Sequence, residues 1–454
     1  MQPPSLVRGL GLTAAMSINI ANMIGTGVFL KARVMTCNVG SPLAVLGVWA
    51  AAALLVFAGA LTYAELAAMM PKAGGEYVFL REAYGPRWGF LYGWSYLWVS
   101  RGGSFAAQAF SCAMFFNLAT GLEWTSWQIS LAALGAIAIS TWWNCAAVQA
   151  TGTLATVMSA IKVLAVGGLA FVVFTMANGD WANYLLSNAG GACEGVSPNA
   201  RGGLAGFGAA MLGALWGFQG WANVTTMAGE IRNPQRNIPW AFIGAMLVVA
   251  AVYLSANASY FFVFTPTEVA SVAATSSVAT EVLRRFLGAN TAKCMAVVMM
   301  ISSLGALHAG IAATARVPFA MAVDGHFWSW FGKLSPNTRV PIRGAVLIGV
   351  WSALLALTGS YDKLTDWAIF ALWLFYGLTA GALLVLRRSQ PDAARPYKVW
   401  GYPLVPVIFL SVTALILVNT LITAPLQTMA GIAVMLLGLP FYAYWQRKQR
   451  RGVL

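Results

Sequence analysis

Long apolar stretches separated by short polar ones follow one another along the whole chain. Most of them hold about 20 mainly apolar residues, the length that an α-helix needs to cross a bilayer. Charges, prolines and glycines bound twelve such stretches. We therefore predict an all-α integral membrane protein with twelve transmembrane helices, at about residues 12–36, 42–69, 88–118, 127–149, 153–177, 205–229, 239–264, 294–322, 342–359, 363–386, 403–423 and 427–446.

The basic residues outside these helices are unevenly divided between the two sides of the predicted bundle. Seventeen lie in the loops and tails on the side of both termini, against seven in the opposite loops. Cytoplasmic loops of membrane proteins carry an excess of Lys and Arg. The sequence thus predicts a protein of the inner (plasma) membrane, with both termini in the cytoplasm. Three basic residues, Arg101, Lys162 and Arg316, remain inside predicted helices.

The composition excludes the soluble classes of protein. Apolar residues make up 59% of the 454 residues and charged residues only 9%, whereas a soluble domain is about 25% charged. The net charge of +14 would suggest nucleic acid as the partner of a soluble chain. Here the loop asymmetry accounts for that charge, so we expect a lipid bilayer and no nucleic acid around the protein.

Residues that carry catalytic or metal chemistry are scarce. The two histidines, His308 and His326, belong to no plausible set of metal ligands, and the phosphate-binding loop of nucleotide-driven transporters is missing from the sequence. We expect no enzymatic activity, no cofactor and no metal. The five cysteines are too few and too scattered for a disulfide framework, and we interpret them as small apolar residues that fill space inside helices.

One long connection has a structure of its own. Residues 265–293 are too polar to cross the membrane and too numerous for a tight turn. A helix start is indicated by Thr265, Pro266 and Glu268, because a threonine cap, a proline in the first turn and a glutamate three residues after the cap are typical of helix N-termini. We predict a re-entrant or capping helix on the outer side.

Two predicted helices contain paired glycines near mid-membrane, in Ile24-Gly25-Thr26-Gly27 and in Trp216-Gly217-Phe218-Gln219-Gly220. Glycine weakens a helix by up to about 1 kcal/mol relative to alanine, so either helix could break there. A break leaves backbone groups without partners, which hydrocarbon does not tolerate unless they line a cavity or bind a ligand. The N–H groups that begin a half-helix favour a carboxylate, and free carbonyls favour an ammonium group, so the pair suits an amino-acid backbone.

Close packing of small residues would explain either glycine pair by itself. Their positions favour the break, because they fall in the first and sixth helices, each the first helix of a five-helix half. Interrupted helices at matching places in two halves point to a transporter binding site.

At these residues the sequence resembles the amino acid–polyamine–organocation (APC) superfamily, in its L-type amino acid transporter branch and the bacterial relatives of that branch. The resemblance extends over nearly the whole chain. Besides the glycine motif of the first helix, it is carried by the blocks Gly59–Leu66, Pro71–Tyr77, Glu82–Pro86, Leu91–Trp94, Glu230–Pro239 and Arg395–Lys398.

The resemblance implies a LeuT-type fold in a single transporter domain. Two inverted repeats of five helices would occupy about residues 12–177 and 205–386, and two further helices would occupy about 403–446. It also implies one substrate site at the bilayer midplane and transport by alternating access.

The resemblance also assigns the groups that would bind the substrate. Gly25, Thr26 and Gly27 match the Gly-Ser-Gly that binds the substrate carboxylate in similar proteins. The α-amino group would meet carbonyls near Ile24 and in the sixth helix. In the sixth helix, these carbonyls would come from the stretch of Trp216, Gly217, Phe218 and Gln219.

Side chains near the site receive roles in the same way. Trp216 stands where relatives carry an aromatic gate, usually Phe in the L-type branch. Lys162 matches a lysine of the fifth helix that substitutes for sodium in sodium-independent relatives, so we expect its amine to contact carbonyls of the first helix. His308 stands where relatives place a substrate-facing side chain, but an ordinary interior histidine fits the pattern equally well. Phe370 could reach the pocket from the tenth helix.

The remaining charges near mid-membrane are assigned to gates and ion pairs. Arg101 is a candidate for inner gating. Arg316 and Asp324 resemble a basic and an acidic residue at the cytoplasmic end of the eighth helix. Glu65 and Glu230 are interpreted as members of cytoplasmic ion-pair networks rather than substrate ligands.

Together these features predict a sodium-independent amino-acid transporter, an exchanger of small or medium neutral L-amino acids. The alternative is a proton-coupled symporter of amino acids or polyamines, with Lys162 or His308 as the proton carrier. The loop Leu118–Ser126 lacks the cysteine with which eukaryotic L-type subunits bind a glycoprotein, so we expect no disulfide-linked heavy subunit.

Overall fold

The computed structural model describes residues 6–450 except 26, 188–190, 274–275, 289–290, 359–360 and 424. These described residues are almost entirely helical, and their one β-bridge joins Leu10 to Ile231. The α-helices are α1 Leu12–Met23, α2 Gly27–Val39, α3 Pro42–Met69, α4 Glu76–Tyr84, α5 Pro86–Ser95, α6 Gly102–Thr120, α7 Ser126–Trp143, α8 Val148–Met176, α9 Gly203–Gly217, α10 Pro234–Val263, α11 Pro266–Ser271, α12 Val278–Leu287, α13 Thr291–Thr314, α14 Arg316–Val323, α15 Ile342–Thr358, α16 Tyr361–Ser389, α17 Leu404–Thr423, α18 Pro425–Leu436 and α19 Gly438–Arg450.

Each predicted transmembrane stretch coincides with one helix or with consecutive helices. Among the described residues, seven helices are long and apolar enough to cross a membrane, and the bent pair α1–α2 would make an eighth. Two further apolar helices, α9 and α15, are shorter. The all-helical membrane class is therefore supported, while the number of twelve spans stays a prediction.

The connection after α10 forms the helices that its capping signals predict. The hydroxyl of Thr265 accepts the N–H of Glu268, and the Glu268 side chain accepts the N–H of Thr265 in return. This reciprocal cap satisfies two N–H groups that a helix end leaves unpaired. Short helices α11 and α12 follow it, so the predicted capping structure is confirmed as helical.

Two buried ion pairs mark one end of the helix bundle, which we call the ion-pair face. Arg316 donates to both carboxylate oxygens of Glu230 at 2.7 and 2.9 Å, and Arg387 donates to those of Glu65 at 2.9 and 2.6 Å. The sequence interpretation of both glutamates as ion-pair members is confirmed. Asp324 pairs separately, with Arg81.

A disulfide bond marks the other end, which we call the disulfide face. Cys37 near the end of α2 is bonded to Cys193 in the connection between α8 and α9. The prediction that all cysteines are unpaired space-filling residues was therefore wrong for these two. The partners are separated by 156 residues, and nothing in their local sequence indicates that the fold brings them together.

Candidate binding site at the helix breaks

The first predicted break is present. α1 ends at Met23 and α2 begins at Gly27, and the two axes are bent by 45°. The N–H of Gly25 donates to the carbonyl of Met23 at 2.8 Å. A Cβ on Gly25 would meet no heavy atom nearer than 4.0 Å, so open space adjoins this residue. Thr26, the middle residue of the predicted carboxylate site, lies outside the described residues.

The second predicted break is present as well. α9 ends at Gly217, and the chain resumes as a 3₁₀ segment over Asn223–Glu230. Gly220 lies between them with a φ of +95°, a conformation that glycine adopts without steric cost. A Cβ on Gly27 would lie only 3.0 Å from the Cα of Gly217. These two glycines therefore allow the broken helices to touch.

One tyrosine hydroxyl connects the two breaks. The Tyr253 oxygen lies 2.7 Å from the carbonyl oxygen of Met23 and 2.7 Å from that of Gly217. A hydroxyl has one hydrogen, so it donates to one carbonyl at a time. Tyr253 is fully buried in α10, and it ties the end of α1 to the end of α9.

A cavity of about 360 Å³ lies beside the breaks. Its size falls within the range of about 300–1,000 Å³ that is typical of small-molecule sites. Five of the predicted substrate-binding residues line it, namely Gly25, Gly27, Trp216, Gly217 and Gln219. Leu30 of α2 and Met114 of α6 extend the lining, so the cavity reaches along both helices from the breaks.

A polar stripe on α6 also lines the cavity, and the sequence interpretation missed it. Ser104, Gln108 and Ser111 all lie on the cavity wall, because spacings of four and three residues put side chains on one helix face. The Gln108 Oε1 atom is buried and has no hydrogen-bond partner among the described residues. Polar residues at helical spacing within an apolar helix were the available signal.

The predicted contact of Lys162 with the first helix is confirmed. Its Nζ atom donates to the carbonyls of Ala21 and Ile24 at 2.8 and 2.7 Å. Gly305 of α13 makes room for this side chain, because a Cβ there would lie 3.0 Å from the lysine Cε. The lysine is 1% exposed, so a buried amine occupies the carbonyls at the end of α1.

The Ile24 carbonyl is therefore a poor candidate for binding the substrate amino group. It accepts from Lys162 at 2.7 Å and from the Ser302 hydroxyl at 2.9 Å. A carbonyl oxygen has two lone pairs, and both are engaged here. Ile24 also does not contribute to the cavity lining, so its expected role does not fit this arrangement.

Three further predicted residues are likewise absent from the cavity lining. Phe218 is buried between the rings of Trp49 and Tyr253. His308 is buried with its Nδ1 atom 3.2 Å from the amide nitrogen of Asn144, which is the interior alternative of the sequence interpretation. Phe370, in the first half of α16, also stays outside the lining.

Trp216 is half-buried and lines the cavity. The ammonium group of Lys31, one turn into α2, lies 4.8 Å from the centre of its ring. A cation over an aromatic face is attracted by the quadrupole of the ring. Lys31 therefore stabilises the present orientation of Trp216 at the cavity wall.

A buried polar network lies on the ion-pair side of the breaks and contains Arg101. The guanidinium group donates to the Asn223 side-chain oxygen at 2.9 Å and lies 4.6 Å from the Tyr96 ring centre. The Asn223 amide donates to Asn22 of α1 at 2.8 Å. Arg101 does not line the cavity. Through Asn223 it helps to connect the 3₁₀ segment after the second break to α1.

Comparison with known proteins agrees with this geometry. The profile of the family described as "Amino acid permease" matches residues 10–441. The mouse (Mus musculus) b(0,+)-type amino acid transporter 1 is 29% identical over 97% of this chain and 88% of its own length. The serine/threonine exchanger SteT of Bacillus subtilis (strain 168) is 28% identical over 98% of both chains. The human (Homo sapiens) large neutral amino acids transporter small subunit 2 is 28% identical over 98% of this chain and 82% of its length.

The profile match extends over nearly all of the chain, and the chain covers most of the length of each of these relatives. The helix breaks and the cavity lie well inside the matched residues. This chain is therefore a multi-pass membrane protein that belongs to the amino acid permease family of the APC superfamily.

Proposed function

We propose that this protein is a sodium-independent exchanger of small or medium neutral L-amino acids. The observation that carries the proposal is the cavity of about 360 Å³ at two touching helix breaks. The breaks supply backbone dipoles of both signs beside one chamber, which suits a zwitterion. Relatives of similar length include a serine/threonine exchanger and transporters named for neutral amino acids.

The cavity wall supports an uncharged substrate side chain. Ser104, Gln108, Ser111 and Gln219 line it, and these groups can donate or accept hydrogen bonds without carrying charge. No carboxylate is found among the described lining residues. A polyamine or a cationic amino acid would lack a counter-charge there, which disfavours the polyamine alternative.

Lys162 supports independence from sodium. Its ammonium group already binds two carbonyls at the end of α1, and free carbonyls at such an end are the groups that coordinate sodium in sodium-coupled transporters. In this proposal the amine of Lys162 occupies the place that a bound ion would take at these carbonyls.

The proposed architecture has twelve spans, with inverted repeats at about 12–177 and 205–386 and two helices at about 403–446. Both termini lie in the cytoplasm, so the ion-pair face is cytoplasmic and the disulfide face is external. Disulfides persist in oxidising compartments, which supports this orientation for Cys37–Cys193. The protein works without a disulfide-linked heavy subunit, Arg101 takes part in inner gating, and Trp216 is the aromatic gate over the site.

Uptake of labelled neutral amino acids into proteoliposomes tests this function. We expect uptake into vesicles preloaded with unlabelled amino acid, and only background uptake into empty vesicles, with or without sodium. Putrescine and arginine should compete weakly. Accumulation in empty vesicles under an imposed pH gradient would instead establish the proton-coupled symporter.

A further inference from the structure

Three acidic side chains of the described residues are buried, and one of them differs from the others in its partners. Glu65 and Glu230 are 0% exposed, and each accepts two hydrogen bonds from an arginine. Glu76 is 2% exposed, yet no Lys, Arg or His nitrogen of the described residues lies within ion-pair distance of it. An ionised carboxylate that is buried without a cation is strongly unfavourable, because it loses its hydration and gains no opposite charge.

Glu76 contacts the hydroxyl group of Thr225, and that hydroxyl has only one hydrogen to donate. The Thr225 hydroxyl oxygen lies 2.7 Å from the carbonyl of Ala222 and 3.1 Å from the Glu76 Oε2 atom. Its single hydrogen satisfies one of these acceptors, and the shorter contact goes to Ala222. When that hydrogen is donated to Ala222, a protonated Glu76 carboxyl group can donate to the Thr225 oxygen, and this completes the arrangement.

A buried cation lies close by without a carboxylate of its own. Arg101 is 3% exposed, and its Nε atom has no hydrogen-bond partner among the described residues. It is held by Asn223, two residues before Thr225 in the same 3₁₀ segment. The same segment therefore contacts a carboxyl group through Thr225 and a guanidinium group through Asn223.

The other titratable groups that face Glu76 are phenols. They come from α3, α5, the π-helical turn Tyr96–Arg101 and α16. Phenols are neutral near pH 7, and the positive charge that acts on Glu76 from the described residues of these elements is that of Arg101. The four residues are Tyr63, Tyr92, Tyr96 and Tyr376.

We propose that Glu76 binds a proton, and that loss of this proton favours opening of the ion-pair face. With the proton bound, Glu76 donates to Thr225 and holds the 3₁₀ segment in place. When the proton leaves to water on the opening face, the carboxylate is free to pair with Arg101. The inference rests on the proposed alternating access, in which the ion-pair face must open once in each transport cycle.

The electrostatic balance at Glu76 agrees with this role. Burial raises the pKa of the Glu76 carboxyl group, and it outweighs the groups that favour the carboxylate, which are its own N–H, the Tyr92 hydroxyl and the charge of Arg101. A hydrogen donated by Thr225 would also lower the pKa, but the shorter contact of that hydroxyl is with Ala222. The segment before Glu76 is packed tightly, because a Cβ on Gly75 would lie 2.9 Å from the backbone nitrogen of Thr226. Movement of the 3₁₀ segment must therefore change the surroundings of Glu76.

Exchange measured in proteoliposomes with the same pH on both sides tests the proposal. In the wild type, exchange should rise with pH, by up to about tenfold per pH unit below the pKa of Glu76, because one group titrates. Glu76→Gln, which cannot lose a proton, should give a slow rate with a flat pH profile. The matched control is Glu82→Gln, a half-exposed residue of α4 paired with Arg81, which should keep the wild-type profile.

Infrared difference spectra between acidic and alkaline pH provide a readout that does not need transport. The purified wild type should show the band of a protonated buried carboxyl group that disappears as the pH rises, and Glu76→Gln should lack it. A Glu76→Gln profile as steep as that of the wild type would overturn the proposal. If Glu76→Gln exchanges nothing at any pH, the infrared spectra decide the question. A difference spectrum of Glu76→Gln identical to that of the wild type would then overturn the proposal. A wild type that shows the band but exchanges nothing would refute the proposed function and leave proton binding by Glu76 established.

Discussion

The ammonium group of Lys162 and the open space beside Gly25 illustrate how single residues define the site. Lys162 donates to the carbonyls at the end of α1 at 2.8 and 2.7 Å. Gly25 has no side chain and leaves the cavity side of the break open. Both residues were identified from the sequence, since glycine pairs and a lysine in an apolar stretch are local signals. The sequence left His308 open between the pocket and the interior and assigned Phe218 to the pocket, and neither lines the cavity. The direction of a side chain depends on packing partners that the local sequence does not specify.

Replacing Lys162 should disable transport while leaving the protein folded. Lys162→Ala removes a donor from the Ala21 and Ile24 carbonyls, and a buried polar group left without a partner costs about 1–3 kcal/mol. We expect exchange to fall by about ten- to hundredfold, since about 1.4 kcal/mol corresponds to a factor of ten. The control is Lys293→Ala, at an exposed position of α13. Unchanged exchange kinetics in Lys162→Ala would remove this residue from the mechanism.

A larger side chain at Gly25 should block the cavity. A Cβ at Gly25 meets no atom nearer than 4.0 Å, so Gly25→Leu can fold, and its side chain would occupy the space left for the substrate. Binding of labelled amino acid to the purified protein should be lost. Gly167→Leu in α8, where a Cβ also has free space, should bind normally. Wild-type affinity in Gly25→Leu would contradict the site.

At the scale of elements, the broken segments are joined by buried polar contacts from several helices. Tyr253 of α10 bridges the ends of α1 and α9, and Arg316 of α14 binds Glu230 at the end of the 3₁₀ segment. The helices themselves were predictable, because apolar length and helix-start signals are local. The pairing of Glu230 with Arg316, 86 residues apart, was not, because no local pattern specifies which buried charges meet.

Breaking that pair should destabilise the protein strongly. Arg316→Met leaves Glu230 buried without its cation, a loss of about 3–5 kcal/mol for a pair of this kind. We expect a clear fall in the unfolding temperature of the purified protein. Arg284, whose side chain is 60% exposed, pairs with Glu281, and Arg284→Met should change stability by less than about 1 kcal/mol. Equal shifts in both variants would contradict the proposed role of the buried pair.

The whole molecule has two distinct ends, and the cavity lies between them. The ion-pair face holds Glu65, Glu230 and their arginines, and the disulfide face holds the bond between Cys37 and Cys193. The asymmetry of basic residues predicts which end is cytoplasmic. The disulfide was missed because its cysteines are brought together only by the complete fold.

Thiol labelling on intact cells tests the orientation of these ends. With a membrane-impermeant maleimide, labelling of Cys37 and Cys193 should appear only after treatment with an impermeant reductant. The test uses a Cys294→Ser background, because Cys294 is an exposed free thiol. The control that adds Cys37→Ser and Cys193→Ser should show no reductant-dependent labelling. Labelling that requires permeabilised cells would invert the proposed topology.

The central claim is that the two helix breaks recognise the charged groups of an amino-acid backbone. Competition for binding to the purified protein tests this most directly. One labelled neutral amino acid competes with three unlabelled compounds that carry the same side chain. These are the free amino acid, its methyl ester and its decarboxylated amine. The account predicts that only the free amino acid competes at micromolar to millimolar concentration. Competition of equal strength by the ester or the amine would contradict it.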